Sequence, residues 1–106
     1  MDISAGIVLF NPDIHRLQEN ISAVIVQCDH MYLVDNGSDN IVEVLQMLKM
    51  YNQPKITIIR NTENQGIAKA LNQLTNAAQK DGLDWILTLD QDSVSPTNII
   101  EEFKKY

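Results

Sequence analysis

The chain has 106 residues, of which 44% are hydrophobic and 21% are charged, and its formal net charge is -6. This length suits one domain with a single core, and the acidic balance argues against nonspecific binding to nucleic acid or to acidic membranes. The lone Cys28 excludes an intramolecular disulfide and a cysteine-based zinc site, which favours a reducing, cytoplasmic location. No apolar run approaches the ~20 residues of a membrane span, and we expect no secretion signal.

Four short apolar runs predict four β-strands. None shows strict alternation of apolar and polar residues, as expected of strands that are covered on both faces. The runs are residues 5–10, 31–34, 56–59 and 85–89.

Amphipathic segments between these runs predict helices. The first has apolar residues at helical spacing from Ile14 to Cys28, with Asn11 as its N-cap and Pro12 at the first helical position. Cys28 lies on the apolar stripe and is expected in the core, as is the ring of Trp85. Both histidines are expected at the surface.

Three further helices follow. The second covers about residues 41–51 and stops before Pro54, and the third covers about residues 67–80 and is closed by Gly82. The fourth begins at about residue 95 and continues to the end of the chain. The regular alternation of strand and helix predicts one α/β domain, a three-layer sandwich in which a parallel sheet of about four strands is flanked by helices.

Polar residues follow each apolar run. Because open parallel sheets bind ligands beyond the carboxyl ends of their strands, we expect these residues to share one edge and to form one polar pocket. They are Asn11, Asp35, Asn36, Gly37, Ser38, Arg60, Asn61, Asp90, Gln91 and Asp92.

Two carboxylates, Asp90 and Asp92, stand two residues apart where the fourth strand should stop. Alone they repel anions, but a shared Mg²⁺ or Mn²⁺ would turn them into a receptor for a diphosphate. Ordinary turn chemistry is the alternative. Residues 64–66 precede the third helix, where free backbone amides favour negative charge, although a simple loop explains them as well.

Four stretches resemble a known family when they are taken together. IVLFNPD, VDNGSDN, NQGIAKALNQ and LDQDS follow, in order and at suitable intervals, the donor-binding half of family 2 glycosyltransferases with the GT-A fold. The resemblance covers essentially all of this chain but only the first part of such an enzyme. NQGIAKALN followed by a Trp-led strand ending in DQDS looks most like the rhamnosyltransferase branch, whose donor is usually dTDP-L-rhamnose.

The resemblance implies a role for individual residues. Those bordering the nucleobase are Phe10, Asn11, Asp35 and Asn36. Asp90 would face the ribose, and Asp92 would be the main ligand of a divalent metal that also holds the diphosphate. The donor-binding set is completed by Asn64, Gly66 and Gln91.

The sequence departs from the common family pattern at two positions. Many relatives have a second Asp where Asn36 stands, and this puts the choice of base in doubt, although an amide can both donate and accept at a pyrimidine edge. Many relatives have an Arg where Leu71 stands, so a positive charge is missing here.

The expected activity is metal-assisted, inverting transfer of a sugar, L-rhamnose by resemblance, from dTDP-rhamnose or a UDP-sugar to a glycan acceptor. In the family the general base lies beyond the metal motif, and Glu101 and Glu102 on the fourth helix should point away from the pocket. We therefore expect residues 1–106 to be a donor-binding fragment that is inactive alone and that self-associates through exposed apolar surface. The full-length enzyme could be peripheral at the inner face of a membrane.

Other classes of α/β domain remain as alternatives. A phosphoacceptor receiver domain needs an acidic pair at the end of the first strand, where this chain has Phe10, Asn11 and Pro12. A sugar nucleotidyltransferase would usually present a glycine-rich, basic loop there. A dinucleotide-binding module would need Gly-x-Gly-x-x-Gly at the same place.

Overall fold

The computed structural model describes residues 3–51, 53–82, 85–89 and 91. In this part of the chain strands and helices alternate. Their order is β1 (Ile3–Leu9), α1 (Ile14–Ile25), β2 (His30–Asn36), α2 (Ile41–Leu48), a short 3-10 helix (Gln53–Lys55), β3 (Ile56–Asn61), α3 (Ile67–Lys80) and β4 (Trp85–Leu89). The predicted fourth helix lies outside the described residues, as do Asp90 and Asp92.

The four strands form one parallel sheet in the order β3-β2-β1-β4. The chain steps from β1 to β2 to β3 in one direction and then returns to place β4 on the other side of β1. In open α/β sheets, ligands bind outside the carboxyl ends of the strands at such a reversal of strand order. The predicted α/β class is confirmed, and the crevice is expected between the ends of β1 and β4.

Helices cover both faces of the sheet, which makes three layers. On one face α1 and α2 pack against the sheet through Leu17, Ile21, Val24, Val44 and Leu48. On the other face α3 packs through Ala70, Leu74 and Ala78. The central strands β1 and β2 are therefore buried along almost their whole length, which explains why their sequences do not alternate.

The bounds of three strands differ from the predicted ones, and β1 runs from Ile3 to Leu9 rather than over residues 5–10. β2 continues through Asn36 and β3 through Asn61, because Asp35 and Asn36 stay in register opposite Arg60 and Asn61. The polar side chains predict that each strand ends after its apolar run, whereas the parallel pairing of β2 with β3 continues for two more residues. β4 and α3 have the predicted bounds.

The predicted N-cap of α1 is wrong. The cap is Asp13, whose Oδ1 accepts from the backbone N–H of Arg16 at 3.0 Å. Asn11 cannot serve because its backbone is in the left-handed region, with φ of 46°. α2 ends at Leu48 rather than near residue 51, because the next three backbone N–H groups bond three residues back, as in a tightening last turn.

The burial of two side chains differs from the prediction. The Trp85 ring is not a core residue, since 50% of this residue is exposed at the start of β4, on the edge of the described sheet. His30 is half-buried rather than at the surface, because its ring lies 4.6 Å from that of Tyr32 and its Nε2 is 2.7 Å from the hydroxyl of Thr57. Cys28 is buried in the core as predicted. None of the described helices is long and apolar enough to cross a membrane.

Candidate functional site

The loops that follow β1 and β2 are bonded to each other. The N–H of Asn11 donates to the hydroxyl of Ser38 at 2.9 Å, and its side-chain Oδ1 accepts from the N–H of Asp39 at 2.7 Å. The Asn40 side chain donates to the carbonyl of Pro12 at 2.8 Å. Asparagine tolerates the left-handed backbone that this arrangement requires at position 11. The ends of the two central strands thus form one connected rim.

Gly37 lets the loop before α3 approach this rim. Its φ is 85°, and a Cβ built on it would lie 2.8 Å from the backbone of Glu63 and 2.9 Å from the backbone nitrogen of Asn64. Real Cβ atoms do not come this close to backbone, so no other residue fits here without moving the loop. The Asn-Gly pair of the sequence therefore marks a contact between two loops as well as a turn.

Asn36, the last residue of β2, connects the rim to this second loop. Its Oδ1 accepts from the side chain of Asn61 at 3.1 Å and from the N–H of Gln65 at 2.9 Å. Its Nδ2 donates to Oδ1 of Asn64 at 3.1 Å and to the carbonyl of Gly66 at 3.4 Å. The predicted donor-binding residues Asn36, Asn64 and Gly66 are thus brought together by hydrogen bonds to one another.

Asp35 lies beside them and is 2% exposed. Its Oδ2 accepts from the N–H of Ser38 at 3.2 Å, whereas its buried Oδ1 has no hydrogen-bond partner among the described residues. A buried acceptor without a donor is costly, so this oxygen still requires a hydrogen-bond donor, as does the buried Oδ1 of Asn40 in the same rim.

Gln91 brings the end of β4 to the end of β1. Its Oε1 accepts from the N–H of Phe10 at 2.8 Å, and its Nε2 donates to the carbonyl of Phe10 at 3.0 Å. The middle residue of the Asp-Gln-Asp stretch is therefore fixed where the strand order reverses, and the Phe10 ring remains partly exposed. Its sequence neighbours Asp90 and Asp92 are outside the described residues.

A cavity of about 540 Å³ opens between α3 and the strands β1 and β4. Its polar lining comes mostly from three predicted site residues, Asn36, Asn64 and Gln91, beside Phe10. The lining that sequence reasoning missed is Gly6, Val8, Ile67, Leu71, Leu74, Thr88 and Leu89. Most of these residues could be found from the sequence. Positions 6, 8 and 10 alternate along β1 and so lie on one face of the sheet, and the apolar residues at helical spacing in NQGIAKALN lie on one face of α3. No described lysine or arginine lines the cavity.

Metal ligands were predicted only at Asp90 and Asp92, and the described residues contain no group of three or more His, Cys, Asp or Glu side chains that could hold an ion. The titratable groups with shifted pKa values belong to other parts of the molecule. Burial raises the pKa of Cys28 in the core. Near the opposite edge of the sheet, burial lowers the pKa of His30, and burial together with the hydrogen bond to Asp81 raises that of Tyr32.

The chain matches a known protein family. The family described as Glycosyl transferase family 2 matches residues 4–106. No curated protein matches the chain significantly. The match covers the described sheet except Ile3, together with α3 and the Asp-Gln-Asp stretch.

Proposed function

The chain belongs to glycosyl transferase family 2, and from this premise we propose that its sheet edge binds a nucleoside-diphosphate sugar for transfer to a hydroxyl acceptor. The observation that carries the proposal is the pairing of Gln91, the middle residue of the Asp-Gln-Asp stretch, with Phe10 at the crevice between β1 and β4. Nucleotides bind at this place in open α/β sheets. No observation favours a receiver domain or a nucleotidyltransferase.

The base of the donor lies against the exposed part of Phe10 and the rim around Asn11. Oδ1 of Asp35 is an acceptor that lacks a donor among the described residues. The N–H of a uracil or thymine ring is a donor of the kind that this oxygen requires, since a carboxylate can only accept. A UDP or dTDP donor would supply such a group.

A divalent cation is proposed to accompany the diphosphate, held by Asp92 with help from Asp90. The support comes from charge: the net charge is -6, and the cavity has no lysine or arginine among the described residues that line it, Leu71 being apolar. Two phosphate groups would otherwise face an acidic protein without a counterion. When bound, the cation neutralises the charge that grows on the leaving nucleoside diphosphate.

The finer assignment concerns the sugar and the acceptor. NQGIAKALN at the start of α3, together with a Trp-led β4 followed by DQDS, supports L-rhamnose as the transferred sugar, with dTDP-L-rhamnose as the donor. The acceptor is a hydroxyl of a glycan, and the reaction inverts the anomeric centre. Residues 1–106 are assigned to the donor-binding part of the enzyme.

Isothermal titration calorimetry tests this function. dTDP, UDP, GDP and ADP are titrated into the chain with Mn²⁺ and again with a chelator. We expect dTDP or UDP to bind best, and to bind at least ~tenfold more tightly with Mn²⁺, because the cation offsets the repulsion between carboxylates and phosphates. Equal affinity with and without Mn²⁺ contradicts the metal role, and absence of binding by all four nucleotides contradicts the donor site.

Two substitutions make the result specific. Asp92→Asn should remove most of the gain from Mn²⁺. Glu43→Gln removes one negative charge at an exposed position on α2 and should leave that gain intact. An equal effect of the two substitutions would mean that overall charge, rather than Asp92, produces the dependence on metal.

A further inference from the structure

The hydrogen-bonding capacity of the Asn36 side chain is fully used within the protein. A side-chain amide has two donor hydrogens and an acceptor oxygen with two lone pairs. Both donors and both acceptor positions of Asn36 have partners, at distances from 2.9 to 3.4 Å, and the residue is 2% exposed. A nucleobase could bond to this amide only by displacing one of them.

The orientation of the amide is fixed by two backbone groups. The N–H of Gln65 can only donate, so the atom facing it is the oxygen of Asn36, and the carbonyl of Gly66 can only accept, so the atom facing it is the nitrogen. A carboxylate at position 36 would keep the bond to Gln65. It would also place an acceptor oxygen against two other acceptors, Oδ1 of Asn64 and the carbonyl of Gly66.

The network continues into α3. The side chains of Asn61 and Gln73 exchange two hydrogen bonds, each of 2.9 Å, while Asn61 also donates to Asn36. Asn64 Oδ1 accepts from the N–H of Gly66 at 2.8 Å, which shapes the turn that enters α3. Asn36 is therefore bonded to both ends of the loop between β3 and α3.

This loop sets one wall of the cavity. Asn64 lines the cavity, and so do Ile67 and Leu71 on the first turns of α3. A shift of the loop would displace these residues together, whereas the opposite wall, from β1 and Gln91, does not depend on Asn36.

We infer that Asn36 is a positioning residue that holds the β3–α3 loop and the start of α3 against the donor site, and that it does not read the nucleobase. The inference rests on the proposed function only for its effect on nucleotide binding, because the loop contacts exist without a ligand. The inference also explains why an amide stands at position 36. In two of its four hydrogen bonds the Asn36 side chain is the donor, and an ionised carboxylate has no hydrogen to donate.

The first test uses the chain without ligand. Amide hydrogen exchange is measured by NMR in the parent, in Asn36→Ala and in Asn72→Ala, an exposed substitution on α3 that serves as the control. Loss of the bond to Asn36 should speed the exchange of the Gln65 amide by about tenfold or more in Asn36→Ala and should leave it unchanged in the control. Unchanged exchange at Gln65 in Asn36→Ala overturns the inference.

The stability of Asn36→Asp should depend on pH in a way that would not arise if residue 36 only filled space. The introduced carboxyl faces two acceptors, which favours its protonated form and raises its pKa above the unfolded value. The stability of this variant relative to the parent should therefore be greatest at low pH and should be lost as the pH rises through the folded-state pKa. Asn72→Asp should show no such rise at low pH, and a flat difference between parent and Asn36→Asp would contradict the role of the two donated bonds.

The second test separates positioning from base reading. The affinities of dTDP and CDP are measured with Mn²⁺ in the parent and in Asn36→Ala. Positioning predicts that both affinities fall by the same factor, so that their ratio is unchanged; a changed ratio with normal Gln65 exchange would show that Asn36 reads the base. If Asn36→Ala does not fold, Asn36→Ser replaces it, because the shorter side chain stays polar but lacks the amide that bonds Gln65, and faster exchange of the Gln65 amide is again the required result. If neither nucleotide binds, the proposed function fails, while the exchange data still decide the role of Asn36.

Discussion

The side-chain amide of Gln91 binds both backbone groups of Phe10, accepting from the N–H at 2.8 Å and donating to the carbonyl at 3.0 Å. The pairing of β1 with β4 reaches Ile7 and Leu89 within the sheet. The two bonds of Gln91 therefore connect the ends of β1 and β4 just beyond their last paired residues, much as one more pair of sheet hydrogen bonds would. This contact fixes Gln91 beside the end of β1.

Removing this contact should weaken the donor site more than the fold. Gln91→Met keeps the length of the side chain and adds no charge but loses both bonds, each of which is worth about 1 kcal/mol at most in this partly exposed place. We expect dTDP to bind the Mn²⁺-loaded variant about tenfold more weakly in calorimetry, with a small loss in urea unfolding. Gln79→Met at an exposed position on α3 is the control. Unaltered dTDP affinity in Gln91→Met would show that the contact does not position the site.

The contact of Gly37 with the β3–α3 loop predicts a large cost for the smallest side chain. Gly37→Ala adds a Cβ 2.8 Å from the Glu63 backbone in a residue with φ of 85°, whereas Gly82→Ala adds one at φ of 77° with no atom within 4 Å. Gly82→Ala should lower the free energy of unfolding by roughly 1–2 kcal/mol, the cost of a Cβ in a left-handed backbone conformation. Gly37→Ala should cost more by at least about 1 kcal/mol, because backbone must move. Urea unfolding of both variants gives the difference, and equal costs would contradict the close approach of the two loops.

Much of this fold can be predicted from the sequence because its strands are covered on both faces. Continuous apolar runs located all four strands. Apolar residues at helical spacing, followed by Gly82, gave the bounds of α3. The ends of β2 and β3 were missed because polar residues such as Asp35 and Asn61 remain in the parallel ladder. Hydrophobicity reports burial of side chains, whereas a strand ends where its backbone pairing ends.

The site could be predicted only in part, for a different reason. Strand-end position identified Asn36 and Gln91, and the place before α3 identified Asn64; all three line the cavity. Sequence position could not show that Asn36 has no free hydrogen-bonding group, because that depends on the side chain of Asn61 and the loop at Gln65, 25 and 29 residues away in the chain. The fit of Gly37 against Glu63 is likewise a long-range contact that no local turn pattern contains.

His30 predicts a dependence of stability on pH. Burial lowers its pKa, Lys55 acts in the same direction and Asp81 opposes both. The neutral ring is therefore favoured in the folded state, so the stabilisation is complete above the unfolded pKa of about 6.5 and is lost as the pH falls through the lower folded value. Urea unfolding at several pH values should show a smaller loss of stability on acidification in His30→Gln than in the parent. His15→Gln alters a side chain that is 83% exposed and should follow the parent; parallel curves for all three proteins would contradict the prediction.

The central claim is that a divalent cation and a nucleoside diphosphate bind together at the carboxyl edge of the sheet. The most direct test is the paramagnetic broadening of backbone amide signals by Mn²⁺ in the presence of dTDP, with Mg²⁺ as the diamagnetic reference. β2 has seven residues, which separates its two ends by roughly 20 Å, so the two edges of the sheet are distinguishable. We expect the signals of Phe10, Asn11 and Gly37 to broaden and those of His30 and Gly82 to stay sharp, with the broadening lost in Asp92→Asn. Broadening centred on His30 and Gly82, or broadening of Phe10 that persists in Asp92→Asn, would contradict the account.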